Sequence, residues 1–460
     1  MRRDGAVSIG ISLLLTALLA AVVWALFHPA LMSEDSLVQY SQAVARKFTS
    51  WHPPLMAIVL SGVLALRGTL GMLMAAQCLA GALGVWALAW SCLEILHGAR
   101  LSPARRAWIS FAVLLLLLYP ASPLAFYLMT FWKDAWAMVL LLWLGALSLR
   151  LAMRERPSRG LLWGVVLLGA VLGMVRHNAI VALPFLGLFL WLELRRLGVR
   201  RAPLYLAAPL AAFLVLNPLL DRAFAVKDKS PEDWVLSLDL TGVCAWSAEA
   251  CAHLPYTRGH VRDLAGLHAR YRPGDLGSVF WEEPKLADSD MAARAHRPEL
   301  RAEYRRALTA YPGLLLRLKL AAFWELLGTE RTFYFFHDTL PRNSYGLYLH
   351  DWSAGYRRQL SKTGKEVAEG PWRWLWGVHL VWLLANLLWI AGLLAVARRR
   401  GDPGLRSLAV FLLVPLGYAF SYIPATPVHD YRFLYPSTLV IQALTLAWLL
   451  AQPFRRSKTT

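Results

Sequence analysis

The sequence predicts an all-α polytopic membrane protein, with about ten transmembrane helices, interfacial helices and a small outward-facing loop domain. Composition is the first observation behind this: 57% of the 460 residues are hydrophobic, 21 are Trp, and the mean hydropathy is +0.44. Recurrent apolar runs are the second. At 1.5 Å per residue, about 20 residues cross about 30 Å of hydrocarbon, and runs near that length recur along most of the chain. The third is the placement of charge, which sets orientation.

The first run, Ala6 to Phe27, follows Met1-Arg2-Arg3. It is longer than the hydrophobic region of a secretory leader and no small-x-small cleavage pattern follows, so it reads as a retained span. The next six are Leu70 to Leu93, Ala107 to Phe126, Ala135 to Ala152, Leu161 to Val175, Ile180 to Leu194 and Pro203 to Leu220. Trp374 to Ala397, Leu405 to Tyr422 and Phe433 to Leu450 complete the set. Two shorter runs, Pro54 to Leu66 and Leu314 to Leu327, are expected to lie in the outer interface or dip partway into the bilayer. Residues 1–220 therefore form a transmembrane core with a first outer loop at 28–55. Residues 221–372 form an outward loop region with an interfacial helix near 314–327. Residues 373–460 hold the last spans and a basic tail at Arg455, Arg456 and Lys458.

The net charge of +19 is explained by this topology. With both termini cytoplasmic, segments 1–5, 94–106, 150–160, 193–202, 398–406 and 451–460 face inward and hold 20 Lys and Arg against five acids. That is the positive-inside pattern, so no nucleic-acid face is needed to account for the charge. If either short run crossed alone, the Arg398 to Arg400 cluster would be carried outward. Residues 221–306, by contrast, hold 13 basic and 14 acidic side chains, the balance of an ordinary outward loop domain.

Candidate chemistry then collects on the outer side. In MSEDSLVQYSQAVARKFTSWHPPL, Met32 to Leu55, Ser33 is an N-cap, and Glu34 and Asp35 fall in the first turn of a helix running toward Lys47. Asp35, Gln39, Gln42 and Arg46 share one face of it, and Leu37, Tyr40 and Val44 another. Trp51 reads as an interfacial anchor, and Pro53-Pro54 turns the chain back to the membrane. Three further sets of charged groups sit at outer span ends: Lys133-Asp134 in TFWKDAW, Arg176-His177-Asn178 in GMVRHNAIVALP, and Arg432 before the last run. Charges at such edges need partners or a polar cavity. Their structural alternatives are helix-end stabilisation for the acids, a turn role for His52, and snorkelling or ion pairing for the cations.

Cys244 and Cys251, in VCAWSAEAC, are disulfide candidates in an outward, oxidising location, with a site shared with His253 as the metal alternative. Cys78 and Cys92 lie in a span and read as packing residues. SLDLTGV, Ser237 to Val243, alternates in a way that suits a short strand or turn, giving Asp239 a structural role. His337-Asp338 and His350-Asp351 read as polar loop groups.

A first span followed by an Asp-centred outer helix and an aromatic-x-Pro-Pro return resembles the GT-C superfamily of polytopic glycosyltransferases. The similar branches are the protein O-mannosyltransferases, the aminoarabinose transferases of lipid A and the bacterial Rgt-like sugar transferases. The resemblance covers residues 1–220 and returns at HDYRFLYP, His429 to Pro436. It implies that an acid of the first outer loop is the catalytic base. Asp35 matches that position, and the neighbouring Glu34 leaves both acids as candidates. The Trp-Trp-Asp motif of the oligosaccharyltransferases is absent, which argues against transfer of a whole glycan to Asn.

The chemistry implied is transfer of a sugar from a polyprenyl-phosphate donor to an envelope acceptor on the outer face of the cytoplasmic membrane. Such a reaction needs a carboxylate to take the acceptor proton and cations to hold the leaving phosphate. Asp35 or Glu34 supplies the first; Lys133, Arg176, His177 and Arg432 supply the second. His52 and Asp134 are support groups or ligands for a divalent metal, with no cofactor required. A lipid-linked glycan ligase or polymerase and a non-enzymatic transporter or flippase are the alternatives. The spans show no halved repeat of the kind that marks many transporters.

Overall fold

A computed structural model describes residues 3–119, 122–156, 158–328 and 337–452. The basic tail at Arg455, Arg456 and Lys458 lies outside the described residues. Among the described residues the fold is all-helical, with isolated bridges such as Leu31 to Thr130 and no strand.

The bundle is built on α1 (Arg3–Phe27), α2 (Glu34–Ala45), α3 (Leu55–Ala65), α4 (Leu70–His97), α5 (Pro103–Leu117), α6 (Leu124–Met129), α7 (Lys133–Ala152), α8 (Arg159–Val175), α9 (Leu183–Arg196) and α10 (Ala208–Ala223). Local sequence sets the ends of the long helices. The Thr69 side chain accepts from the Met72 N–H to start α4, and Gly98, at φ +51°, stops it. Ser102 with Pro103 starts α5, and Ser158 starts α8. α4 is the central element, packed against α1, α5 and α7, with Met74, Cys78, Ala82, Val85 and Ala89 buried along it.

A second group, the loop unit and the helices after it, follows: α11 (Pro231–Trp246), α12 (Ala248–Ala252), α13 (Pro255–His260), α14 (Leu264–Arg270), α15 (Leu276–Phe280), α16 (Arg297–Ala310), α17 (Pro312–Leu326), α18 (Ala354–Glu369) and α19 (Arg373–Trp376). The chain then returns to the bundle through α20 (His379–Arg400), α21 (Pro403–Phe411), α22 (Leu413–Phe420) and α23 (Tyr435–Ala451). α20 stops at Gly401 in the left-handed region, and Asp402 caps α21. α23 lies against α4, α5, α7 and α20, closing the bundle.

Among the described residues, six helices are long and apolar enough to cross a membrane: Gly5–Phe27, Leu70–Arg100, Lys133–Ala152, His177–Arg196, His379–Arg400 and Pro403–Phe420. The count of ten read from hydropathy is thus larger than the number of span-length helices. The differences have local causes. The run from Ala107 ends as a helix at Leu117, and the chain restarts as the short α6 after Pro123. α8 and α23 are apolar but have 17 residues each, and α10 has 16 with Pro218 inside it. α3 has 11 residues, about 16 Å of rise, and cannot cross alone.

α11 is the axis of the loop unit, flanked by α12, α13, α14, α16 and α17. Ser237 to Val243 is therefore helical, which corrects the strand or turn expected there. Pro231 opens the helix, Glu232 and Asp233 fill its first turn, and Leu240 and Val243 are buried against Leu300, Leu315 and Leu318. Asp239 sits on its inward face, 2.6 Å from Lys319 Nζ and 3.2 Å from the Tyr304 hydroxyl, a structural pair. Asp233 takes Arg297 at 2.8 Å and Arg301 at 3.1 Å. Cys244 and Cys251 are disulfide-bonded, which removes them from any metal site with His253; His253 stacks on Tyr311 instead.

Candidate functional site

The site begins with α2, whose amphipathicity runs against the usual order. Ser36, Gln39 and Gln42 are buried while Val38 and Val44 are exposed, so the polar face is the one turned inward. A polar face is buried only where polar partners meet it. Ser33 caps the helix, and the Trp132 indole N–H donates to its hydroxyl at 2.8 Å, tying α2 to the start of α7. Gln42 accepts from the Thr49 N–H at 3.0 Å and holds the following loop. Arg46 adopts the left-handed conformation at the helix end and is exposed, so it leaves the face it was expected to share with Asp35.

The Trp51 ring meets Trp234 of α11 edge-on at 5.8 Å and so docks the loop after α2 onto the loop unit. His52 follows and is buried, aimed back at α2.

Four separate chain segments now converge. Arg432 Nη2 lies 3.0 Å from Asp35 Oδ2, and its Nε lies 2.9 Å from Asp430 Oδ2 and 3.9 Å from Asp134 Oδ2. Arg176 Nη2 lies 2.9 Å from Asp134 Oδ1, and its Nε donates to the Tyr422 hydroxyl at 2.9 Å. Aromatic faces cover both guanidinium groups: Phe433 lies 4.6 Å from Arg176, and Trp132 lies 4.6 Å from Arg432. Lys133 Nζ donates to His52 Nδ1 at 2.9 Å. Three carboxyl groups, Asp35, Asp134 and Asp430, thus face three cations, Lys133, Arg176 and Arg432.

Exposure divides the cluster. The side chains of Asp134, Arg176, His52 and Arg432 are 0, 9, 7 and 12% exposed, whereas Asp35 is 34% exposed. Asp35, Asp134, Arg176 and Arg432 therefore come together in one packed ionic cluster whose most exposed member is Asp35. Glu34 is exposed on another side of α2 and does not enter it. His177 is half-buried, with Nε2 lacking a hydrogen-bond partner, and Asn178 donates to the Ser421 hydroxyl at 2.7 Å.

Electrostatics fix the resting protonation at the open end. Burial pushes the Asp35 carboxyl up, but the charges of Arg432 and Lys133, with His52 beside them, outweigh it and hold Asp35 well below the usual carboxylate range. Burial, then the Lys133 ammonium, pushes His52 well below 6.5, against the pull of Asp35. His52 is accordingly neutral. Its Nδ1 accepts from Lys133, which leaves the proton on Nε2, 3.6 Å from Asp35 Oδ1 and too far for a hydrogen bond.

No protein-family model, curated protein or solved structure matches this chain. The chemistry therefore rests on the cluster itself. Of the three carboxyl groups in the cluster Asp35 is the most exposed, and the cations behind it are held at the ends of apolar helices. An incoming anion would find Lys133 without a carboxylate within ion-pair distance among the described residues. His52 and Asp134, the metal candidates, are separated by cations. Among the described residues no three His, Cys, Asp or Glu side chains converge in metal-binding geometry, and Arg432 bridges the carboxyl groups here.

Sequence reasoning missed Asp430, Tyr422, Phe433 and Trp132. Asp430 carried a local signal. Two residues before Arg432, its Oδ1 accepts the Arg432 N–H at 3.1 Å, the Asx-turn that an Asp-x-Arg spacing allows. The aromatic residues carried none, because their role is to cover guanidinium groups brought in from other helices.

Proposed function

We propose that this chain is a GT-C type membrane glycosyltransferase that moves a sugar from a polyprenyl-phosphate donor to an envelope acceptor. In this reading it has ten spans, counting the shorter apolar helices, with both termini cytoplasmic and the Asp35 cluster at the outer face of the cytoplasmic membrane. The observation that carries the proposal is the Asp35–Arg432 pair: a reachable carboxylate set against buried cations where several apolar helices end.

The step balances with these groups alone. The acceptor oxygen attacks the anomeric carbon from the face opposite the phosphate, and the bond from that carbon to the phosphate oxygen breaks. Its electron pair stays on the phosphate, which Lys133, Arg432 and Arg176 stabilise as charge develops. The hydroxyl proton passes to Asp35. Inversion follows from the single displacement. The apolar helices beside the cluster would hold the polyprenyl chain, and the outward loop unit, docked through Trp51 and Trp234, would face the acceptor.

Membranes carrying the chain, supplied with labelled polyprenyl-phosphate sugars, test the assignment. Asp35→Asn should lower transfer by about a hundredfold or more, the ordinary worth of a general base, while Glu34→Gln keeps it. Full transfer by Asp35→Asn at unchanged protein level refutes the base assignment. Substrate flipping in proteoliposomes with no release of polyprenyl phosphate would replace the reading with a transporter.

A further inference from the structure

A second polar site lies at the other end of the bundle. The run from His177 through α9 starts at the Asp35 cluster and, after 20 residues, ends at Arg196. α20 starts beside the same cluster, where His379 Nε2 meets the Tyr431 carbonyl oxygen at 2.9 Å, and ends at Arg400 after 22 residues. At 1.5 Å per residue both cover about 30 Å, so their far ends lie a full hydrocarbon thickness from Asp35. Between those far ends and the start of α21 is a cavity of about 990 Å³.

Its walls are of two kinds. Arg195, Arg398 and Arg406 line it, with Leu192, Leu394 and Val410 on the side toward the bundle. The two acids at its margin are already engaged. Glu193 is buried and held by Arg196 Nε at 2.9 Å and by the Ser407 hydroxyl. Asp402 Oδ1 accepts from the Gly404 N–H at 2.9 Å and the Leu405 N–H at 3.2 Å. Arg196 is also occupied, donating to the Ala152 carbonyl oxygen at 2.6 Å. None of the other three arginines has a carboxylate within 4.0 Å among the described residues.

We propose that this cavity binds the phosphate headgroup of an anionic bilayer phospholipid, with the acyl chains lying along Leu192, Leu394 and Val410. Three guanidinium groups with no carboxylate partner, one of them (Arg195) over the Trp191 ring, supply planar, bidentate donors for phosphate oxygens, and the apolar wall selects a lipid over a free anion. Basic pockets between spanning helices at a membrane interface are suited to such headgroups. The site is independent of the Asp35 cluster and does not depend on its reaction.

Native mass spectrometry of the intact chain, released from bilayers of phosphatidylglycerol mixed with phosphatidylcholine of equal chain length, tests the proposal. Phosphatidylglycerol should be retained over phosphatidylcholine by about tenfold or more. Arg195→Gln, Arg398→Gln and Arg406→Gln should each weaken retention about fivefold, and together on the order of a hundredfold. Arg399→Gln with Arg400→Gln, exposed arginines at the same end that do not line the cavity, should leave it unchanged. Equal retention of phosphatidylcholine overturns the proposal, as does an equal loss in the Arg399 and Arg400 control. Displacement by millimolar inorganic phosphate also overturns it, since the apolar wall would then contribute nothing.

Discussion

Replacing Asp134 by Asn removes a full charge from the least accessible point of the ionic cluster. The Asp134 side chain has no exposed surface, and it sits 2.9 Å from Arg176 and 3.9 Å from Arg432. Without it, three cations would face two carboxyl groups, and Arg176 would keep only the Tyr422 hydroxyl and the ring faces of Phe433 and Tyr422. Breaking one partner from a buried pair costs about 3–5 kcal/mol. Arg432 retains Asp35 and Asp430, and Asn keeps a hydrogen-bonding oxygen, so the low end applies, about 3 kcal/mol or roughly a hundredfold in the unfolding equilibrium. Denaturant titration of the detergent-solubilised chain measures it. A double-mutant cycle with Arg176→Met isolates the pair, because Met fills the aromatic pocket without a charge. The double variant should be no less stable than Asp134→Asn alone, giving a coupling of about 2 kcal/mol or more. If Asp134→Asn costs under about 0.5 kcal/mol, or the two changes simply add, the pair is not what holds these helices together.

Three other changes probe separate features. Because the folded chain keeps His52 neutral, the unfolded chain alone takes up its proton below about pH 6.5, so melting temperature should fall as pH drops from 7 toward 5, and His52→Asn should flatten that slope. Asp35 acts in the same direction but at lower pH, since a carboxyl held down in the fold loses its contribution only as pH falls below its ordinary pKa of about 3.9. Cys244→Ser with Cys251→Ser should destabilise the loop unit by about 2.5 kcal/mol on loop-entropy grounds, read as faster proteolysis between α11 and α17. Gly187→Val should abolish folded protein in membranes, because a Cβ at Gly187 would overlap the Leu206 carbonyl oxygen where α9 meets the chain before α10; normal yield would contradict that approach.

Charge placement was more legible in the sequence than span number. Lys133-Asp134, Arg176 and Arg432 stand out because a charge beside a long apolar run is costly in lipid, and each proves to have a partner from a distant segment of the chain. Hydropathy does not report where a helix stops. Ala107 to Phe126 reads as one run, yet α5 stops at Leu117 and the chain restarts after Pro123 as α6, which is buried throughout while α5 keeps Trp108, Leu115 and Leu116 exposed. Helical periodicity placed Asp35, Gln39 and Gln42 on one face but could not say that this face points inward, since that depends on cations supplied from residues 133, 176 and 432. Arg46 was misplaced because a helix end by left-handed backbone at a non-glycine residue leaves no mark in the sequence. The Trp51–Trp234 contact left no mark either, because only the fold brings Trp234 within reach.

The resting charge balance bears on how Asp35 could serve as a base under the proposed reaction. A carboxylate held well below its usual range is a weak proton acceptor, and Arg432 and Lys133 are what hold it there. A donor phosphate arriving at those same cations would draw their field away from Asp35 and add a negative charge close by, and both effects raise its affinity for a proton. Basicity would then appear only with the donor in place. Asp134 and Asp430 would keep Arg176 and Arg432 in position meanwhile, so that the cations turn toward the phosphate without leaving the cluster. In that arrangement the buried pairs give the site its geometry, and the partly exposed Asp35 is left free to change partner.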